Sequence, residues 1–513
     1  MSFFMATVPA GTQLYHGTWR NESVKGMEWL AFEPEHALIF ARPRRSPPGD
    51  DKDGKGPGRP PHTFQEDGNV EGKKKGCSER KHEGGSHCFP PPPPNTNDDG
   101  DQKTGFLHTY APQKALSLLY IDGMSAGKTT NGTLDSQDYL LLNLTDPEDP
   151  EHGGMFREWE RAQGLCDLSA TLWEYKIDGV LRMEGGFEII LCDFEKDLEV
   201  KSIMPVVDDG WPGAGRGMLG GWRYYQAIAE RYHGIGGGRV VLDYEHFVTA
   251  YAYEGLNLFD NDGQSDTPMP RLENARQADL RTIKDAVTGM ILTSAVEKVG
   301  DGTNWQAIAD MIIQRYSAPL HHLTDKEAAA RKSKEALATY LSTLLRPFID
   351  YTSRNTSAET ARCVAQHLPP VPPPLSPPLA YTALSSITSR ICTSLLSALD
   401  ITTTQSQPLS RSYSYSSSSP PPSPALELID ALTAYLRWTS WKQCGPCPAE
   451  QLCIIPIWPM GTFADHASPR CKAQGEVSGV NGYWGRWGPR GRQPPPPPED
   501  GDRDRLEGLG MGF

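Results

Sequence analysis

The chain has 513 residues, a formal net charge of −14 and 38% hydrophobic residues, with 45 prolines and 50 glycines concentrated in patches. The acidic balance excludes a general nucleic-acid binder, which needs a basic face, and no apolar run reaches the length of a membrane-spanning helix. The length implies two or three domains, and the composition implies folded blocks separated by low-complexity inserts.

Residues 1–42 read as a strand, a turn, another strand and a short helix. Met1–Ala10 includes Phe3, Phe4 and Met5 but no basic stretch and no long apolar core, so no signal peptide is visible there. Residues 43–104 are rich in Pro, Gly, Lys and Asp and are expected to be a disordered insert. Its basic island, Lys73 to Lys81, reads as a solvated segment, and Cys77, His82, His87 and Cys88 lack the spacing of a zinc framework. Leu107–Tyr110 and Ala115–Ile121 are two strands with a proline-containing turn between them. Gly123 to Thr129 is one residue short of a phosphate-binding loop, because Asp122 stands where the first glycine is needed, so it reads as a turn. Phe156–Trp173 has helical spacing, and Gly179–Cys192 is a strand pair turning at Gly185-Gly186. Residues 1–205, less the insert, therefore form one α+β domain.

Residues 206–270 are a Gly- and aromatic-rich connection with a strand at Arg239–Tyr244. Residues 271–400 form a helical region, in which Leu280, Ile283, Ala286, Val287 and Met290 recur at spacings of three and four. A Ser/Pro linker at 401–429, a Cys-rich segment at 430–490 and a disordered tail at 491–513 complete the chain. Cys444, Cys447, Cys453 and Cys471 are expected to form two disulfides, with a four-cysteine zinc site as the alternative. Sequons at Asn21, Asn131, Asn143 and Asn355 lean towards a secreted or extracellular location.

Two apolar segments each carry one chemically competent side chain: His16 in Leu14-Tyr15-His16-Gly17-Thr18, and Glu188 in Gly186-Phe187-Glu188-Ile189-Ile190-Leu191. Cleaving the N-glycosidic bond of NAD develops positive charge on the ribose, which a carboxylate stabilises. A neutral histidine can hydrogen-bond the nucleotide, and flat rings can wall the nicotinamide. The order of these pieces, with the segment from Trp29 to Ala41 between them and Asp178-Gly179 leading into the last, resembles the diphtheria-toxin-like and poly(ADP-ribose)-polymerase-type ADP-ribosyltransferases. That resemblance implies an ADP-ribosyltransferase-like N-terminal domain with NAD as the substrate and glycosyl-transfer chemistry. It makes Glu188 catalytic and gives cofactor binding to His16, Gly17 and Thr18, with Phe32 and Phe40 as stacking walls. The family's tyrosine on the strand before the middle helix is absent, Ala31 standing in its place.

Pro9 to Thr18, Glu28 to Ala41, Asp122 to Lys128, Asp135 to Asp138 and Ile454 to Pro459 together resemble an uncharacterised family of filamentous-fungal proteins, which brings no established activity. Two functions follow as expectations. One is an NAD-binding ADP-ribosyltransferase-like protein of unknown acceptor. The other is a non-catalytic secreted or cell-surface binding protein on a degenerate transferase fold. A third reading, a phosphorylated RNA end as substrate, conflicts with the acidic balance. The geometric criterion is direct: the enzyme reading fails if His16 and Glu188 point to opposite sides of the sheet.

Overall fold

The N-terminal apolar run is a strand of the central sheet. Ser2–Val8 (β1) pairs antiparallel with Leu116–Ile121 (β5), from Phe3 opposite Ile121 to Val8 opposite Leu116. This is a computed structural model, and it describes residues 1–43, 104–128, 132–144, 157–184, 186–206, 222, 226–228, 237–259, 269–294, 302–370, 377–404, 423–454, 462, 464–465 and 468–476. Nearly all of the expected insert, most of the Ser/Pro linker and the expected tail lie outside the described residues.

The remaining strands are Leu14–Thr18 (β2), Glu28–Ala31 (β3), Gly105–Pro112 (β4), Gly179–Met183 (β6), Phe187–Leu191 (β7), Leu198–Val206 (β8), Val241–Leu242 (β9) and Val248–Thr249 (β10). The sheet runs β10-β1-β5-β6-β7-β3-β2-β4-β8, with β9 also on β1. Among the described strands, only β5 and β6 pair in parallel. Their crossover carries a π-helical turn, Ser136–Leu141, and the helix Glu158–Ala170 (α2). The short helices Pro34–Leu38 (α1) and Phe194–Asp197 (α3) follow β3 and β7.

β4 and β5 are joined by residues 113–115 alone, yet they are not neighbours in the sheet. Three residues span about 11 Å at most, so the sheet must curl to bring the end of β4 near the start of β5. The backbone of Gly11, just after β1, bonds Pro112 at the end of β4, which fits that curl. Sequence spacing suggests two strands about a shared turn; the pairing shows each going to different partners.

Both faces of the sheet are covered, which accounts for the near-continuous apolar strands. One face packs Phe3, Met5, Leu119, Val180 and Ile190 against Ala162 and Leu165 of α2 and against Trp173. Leu280, Ile283 and Val287 of the helix Gln277–Thr293 (α4) join the same core. This helix, the first of the expected helical region, thus belongs to the sheet. The other face buries Val8, Leu14, Leu30, Leu118, Ile189 and Phe194.

A second core is all-helical. It is built by Trp305–Thr324 (α5), Ala329–Lys332 (α6), Lys334–Leu345 (α7), Thr356–Ala365 (α8), Leu379–Thr404 (α9) and Pro424–Leu436 (α10), with Tyr316, Leu341, Leu395 and Ile429 at its centre. α10 begins inside the expected linker, and its proline lies in the first turn, where the missing N–H costs nothing. Gln451–Ile454 (β11) and Arg470–Ala473 (β12) form a separate antiparallel pair.

The four C-terminal cysteines are disulfide-bonded, Cys444 to Cys453 and Cys447 to Cys471. The sulfurs of Cys444, Cys447 and Cys471 lie within 4.8 Å of one another, but the bridges use them, so the disulfide expectation holds over the zinc alternative. Two further bridges join Cys166 to Cys192 and Cys363 to Cys392, leaving no free cysteine among the described residues. No described helix is long and apolar enough to cross a membrane.

Candidate functional site

Strand register decides where the predicted residues point. Tyr15 lies opposite Ala31, Ala31 opposite Glu188, and Glu188 opposite Arg182. Residues directly opposite one another share a face, and neighbours along a strand alternate. Glu188 therefore projects on the Tyr15 face, and His16 projects on the other. The surroundings agree: the His16 ring meets Phe194, while Glu188 meets His36 of α1. The two rings divide in the same way. Phe32 is buried in the His16-side core, with the Arg239 guanidinium 5.7 Å from its ring centroid. Phe40 is 58% exposed and lies 6.0 Å from the His36 ring. His16 and Glu188 do not converge on one ligand.

His16 is held by local contacts in this arrangement. Its Nδ1 lies 2.7 Å from the Trp29 carbonyl oxygen, and its ring stands edge-on to His108. Burial lowers its pKa to about 4, against the carbonyl hydrogen bond, so the ring is neutral at pH 7. Gly17 lies beneath α1, where a Cβ would sit 1.8 Å from the Ala37 carbonyl oxygen; the glycine serves close packing. The Thr18 hydroxyl accepts from the Arg20 backbone at 3.4 Å. Ala31, at the place of the family's tyrosine, packs with Ala37 and Leu107. The space a ring would need is filled by α1.

Glu188 sits in a buried ionic network. Arg182 Nε donates to its Oε1 at 3.1 Å and Arg182 Nη2 at 2.5 Å, while His36 Nε2 lies 3.7 Å from Oε2. Arg182, fully buried, also bonds Gln137 Oε1 at 2.9 Å and pairs with Glu158 of α2. Arg161 holds Glu158 at 2.8 Å and Asp138 through two bonds. Lys128, in the turn that resembles a shortened phosphate loop, is spent on Glu184 at 2.6 Å and the Ala126 carbonyl at 3.0 Å. Lys128, Arg161 and Arg182 thus face Asp138, Glu158, Glu184 and Glu188.

The network splits its carboxyls electrostatically. Burial would raise Glu188, but Arg182, His36 and Lys128 outweigh it and hold the group far below the usual carboxylate range. Glu158 is lowered too, with Arg182, Lys128 and Arg161 overcoming burial. Burial prevails at Glu184 and at Asp138, and both are raised. For the two depressed carboxyls, the stability they contribute is full above their ordinary value of 4.5 and is lost as pH falls through the folded values. Glu184 and Asp138 act in the opposite sense, so the test is the difference: between pH 4.5 and about 3 the parent should lose Tm more steeply than Glu188→Gln, and equal slopes would contradict the assignment.

Arg182 was not singled out from sequence, although a signal existed. Arg182 and Glu188 are lone charges in neighbouring apolar strands, but a two-residue turn at Gly185-Gly186 would set residue 183 opposite residue 188, whereas the observed register sets residue 182 there. Glu158, Glu184 and His36 gave no comparable local signal.

Comparison with known proteins bears on the same domain. Residues 1–210 match the model of the YPL277C N-terminal domain, a span covering β1 to β8. Two curated yeast proteins (Saccharomyces cerevisiae) are similar in sequence. Uncharacterized protein YOR389W is 30% identical over 242 residues, covering 41% of this chain and 33% of that protein. Uncharacterized protein YPL277C is 30% identical over 246 residues, covering 41% of this chain and 43% of that protein. The chain thus spans less than half the length of each of these relatives, and no solved structure matches it. The sheet domain that holds the Arg182–Glu188 network is thereby aligned with the N-terminal domain of an uncharacterised fungal family.

Proposed function

We propose that this is a non-catalytic, secreted or cell-surface binding protein whose transferase-like sheet does not turn over NAD. The observation that supports this reading most is the division of the expected site, with His16 and Phe32 on one face and Glu188 and Phe40 on the other. A carboxylate that stabilises charge on a ribose needs free lone pairs facing the ligand. Oε1 of Glu188 is instead taken by Arg182, and His16 is taken by a backbone carbonyl. The compartment part of this reading is supported by the four disulfides of the described residues, which occur in the sheet domain, in the helical core and at the β11–β12 pair. Disulfides form and persist in oxidising environments.

The test is calorimetric titration of the oxidised full chain with NAD, beside an assay for nicotinamide release. The expected result is no saturable binding at millimolar NAD and no release. Saturable binding abolished by both His16→Ala and Glu188→Gln would restore the transferase reading.

A further inference from the structure

We propose that Asn21 is an N-glycosylation site, displayed by a tripeptide loop that the sheet domain holds outward. The inference rests on the secretory reading above. Asn21-Glu22-Ser23 has the acceptor pattern, and all three residues are exposed in the connection between β2 and β3. Pattern and exposure alone would be weak. The structure adds a clamp on the two residues that flank the tripeptide. His108 Nε2 lies 2.8 Å from the Arg20 carbonyl oxygen, and the Val24 backbone N–H donates to Tyr110 Oη at 3.0 Å. His108 Nδ1 and Tyr110 Oη are themselves 3.0 Å apart. One buried histidine–tyrosine pair on β4 thus fixes both ends of the loop, with Val24 turned into the core. Among the described residues, the side chains of Asn21 and Ser23 make no hydrogen bond that would have to break.

The other sequons are less favourably placed. Asn355 already uses its side-chain oxygen to cap α8, accepting from Ala358 N at 3.0 Å. Asn143 is exposed in a left-handed conformation, but its Thr145 lies outside the described residues, as does Asn131.

The step is a group transfer from a lipid pyrophosphate-linked oligosaccharide. Nδ2 of Asn21 attacks C1 of the first sugar. The C1–N bond forms, the C1–O bond to pyrophosphate breaks, an amide proton passes to a base, and the lipid pyrophosphate leaves. A bulky polar glycan here keeps this end of the sheet in solvent and directs partners to other surfaces.

The full chain, purified from its native host, is digested to peptides before and after enzymatic removal of N-glycans, and its thiols are counted in parallel. The expected result is a glycan-bearing Asn21 peptide. Enzymatic release of the glycan should leave that peptide with its asparagine deamidated to an aspartate. The signal should be lost in Asn21→Gln and Ser23→Ala and kept in Ser23→Thr. An unmodified Asn21 peptide from protein whose cysteines are oxidised overturns this proposal and leaves the secretory reading standing. An unmodified peptide together with free thiols overturns both.

Discussion

Replacing Arg182 by methionine is expected to destabilise the sheet domain by about 3–5 kcal/mol, the usual cost of removing one partner from a buried ion pair. The methionine fills much of the volume, so the effect comes from charge. Glu188 loses both donors to Oε1, Glu158 loses its partner on β6, and Gln137 Oε1 loses its donor. Glu188 would then be buried and Glu158 half-buried, with Lys128, Arg161 and His36 as their remaining partners. Arg182→Lys should recover only part of the loss, because one ammonium cannot reproduce the planar fork that reaches three acceptors. Arg182→Met combined with Glu188→Gln should be clearly less damaging than the sum of the single changes, since the second removes a charge stranded by the first. Denaturant unfolding of these variants beside the parent checks this. A loss below about 1 kcal/mol for Arg182→Met, or strict additivity, would show that the network is solvated and carries little energy.

Local pattern predicted much of the sheet domain and little of its interior chemistry. The apolar run around Glu188 and the glycines before it correctly indicated β6 and β7, because a hairpin is a short-range object. The helical period of Phe156–Trp173 likewise indicated α2, and the crowding of four cysteines indicated the C-terminal bridges. The relative orientation of His16 and Glu188 was not legible. Each strand tells which of its own residues share a face, but only the pairing of β2 with β3 and of β3 with β7 relates one strand to another. A shift of one residue in either pairing would reverse the answer. The ionic network was hidden for a similar reason, since its members come from α1, the turn after β5, the π-helical turn, α2 and the β6–β7 pair. The helical period of α4 was plain, but an amphipathic stripe does not say which core it covers, and this one covers the sheet.

Removing the Cys166–Cys192 bridge is expected to cost about 3 kcal/mol in the sheet domain, from the entropy of closing a loop of its span. Its position makes the loss specific. Cys166 lies on α2, five residues after Arg161 and eight after Glu158, and Cys192 directly follows β7, which carries Glu188. The bridge holds the helix that supplies Glu158 and Arg161 against the strand pair that supplies Arg182 and Glu188. Cys166→Ser with Cys192→Ser should therefore couple to Arg182→Met: once α2 is free to lift, Glu158 can reach water, and losing Arg182 should matter less than it does in the bridged protein. Cys363 and Cys392 close a loop of similar length between α8 and α9, so serine at those two positions should lower the stability of the helical core instead. Unfolding followed by hydrogen exchange resolves the two cores. If opening the Cys166–Cys192 bridge left protection of β6 and β7 unchanged, α2 would be held by packing alone, and the bridge would have no part in positioning the network.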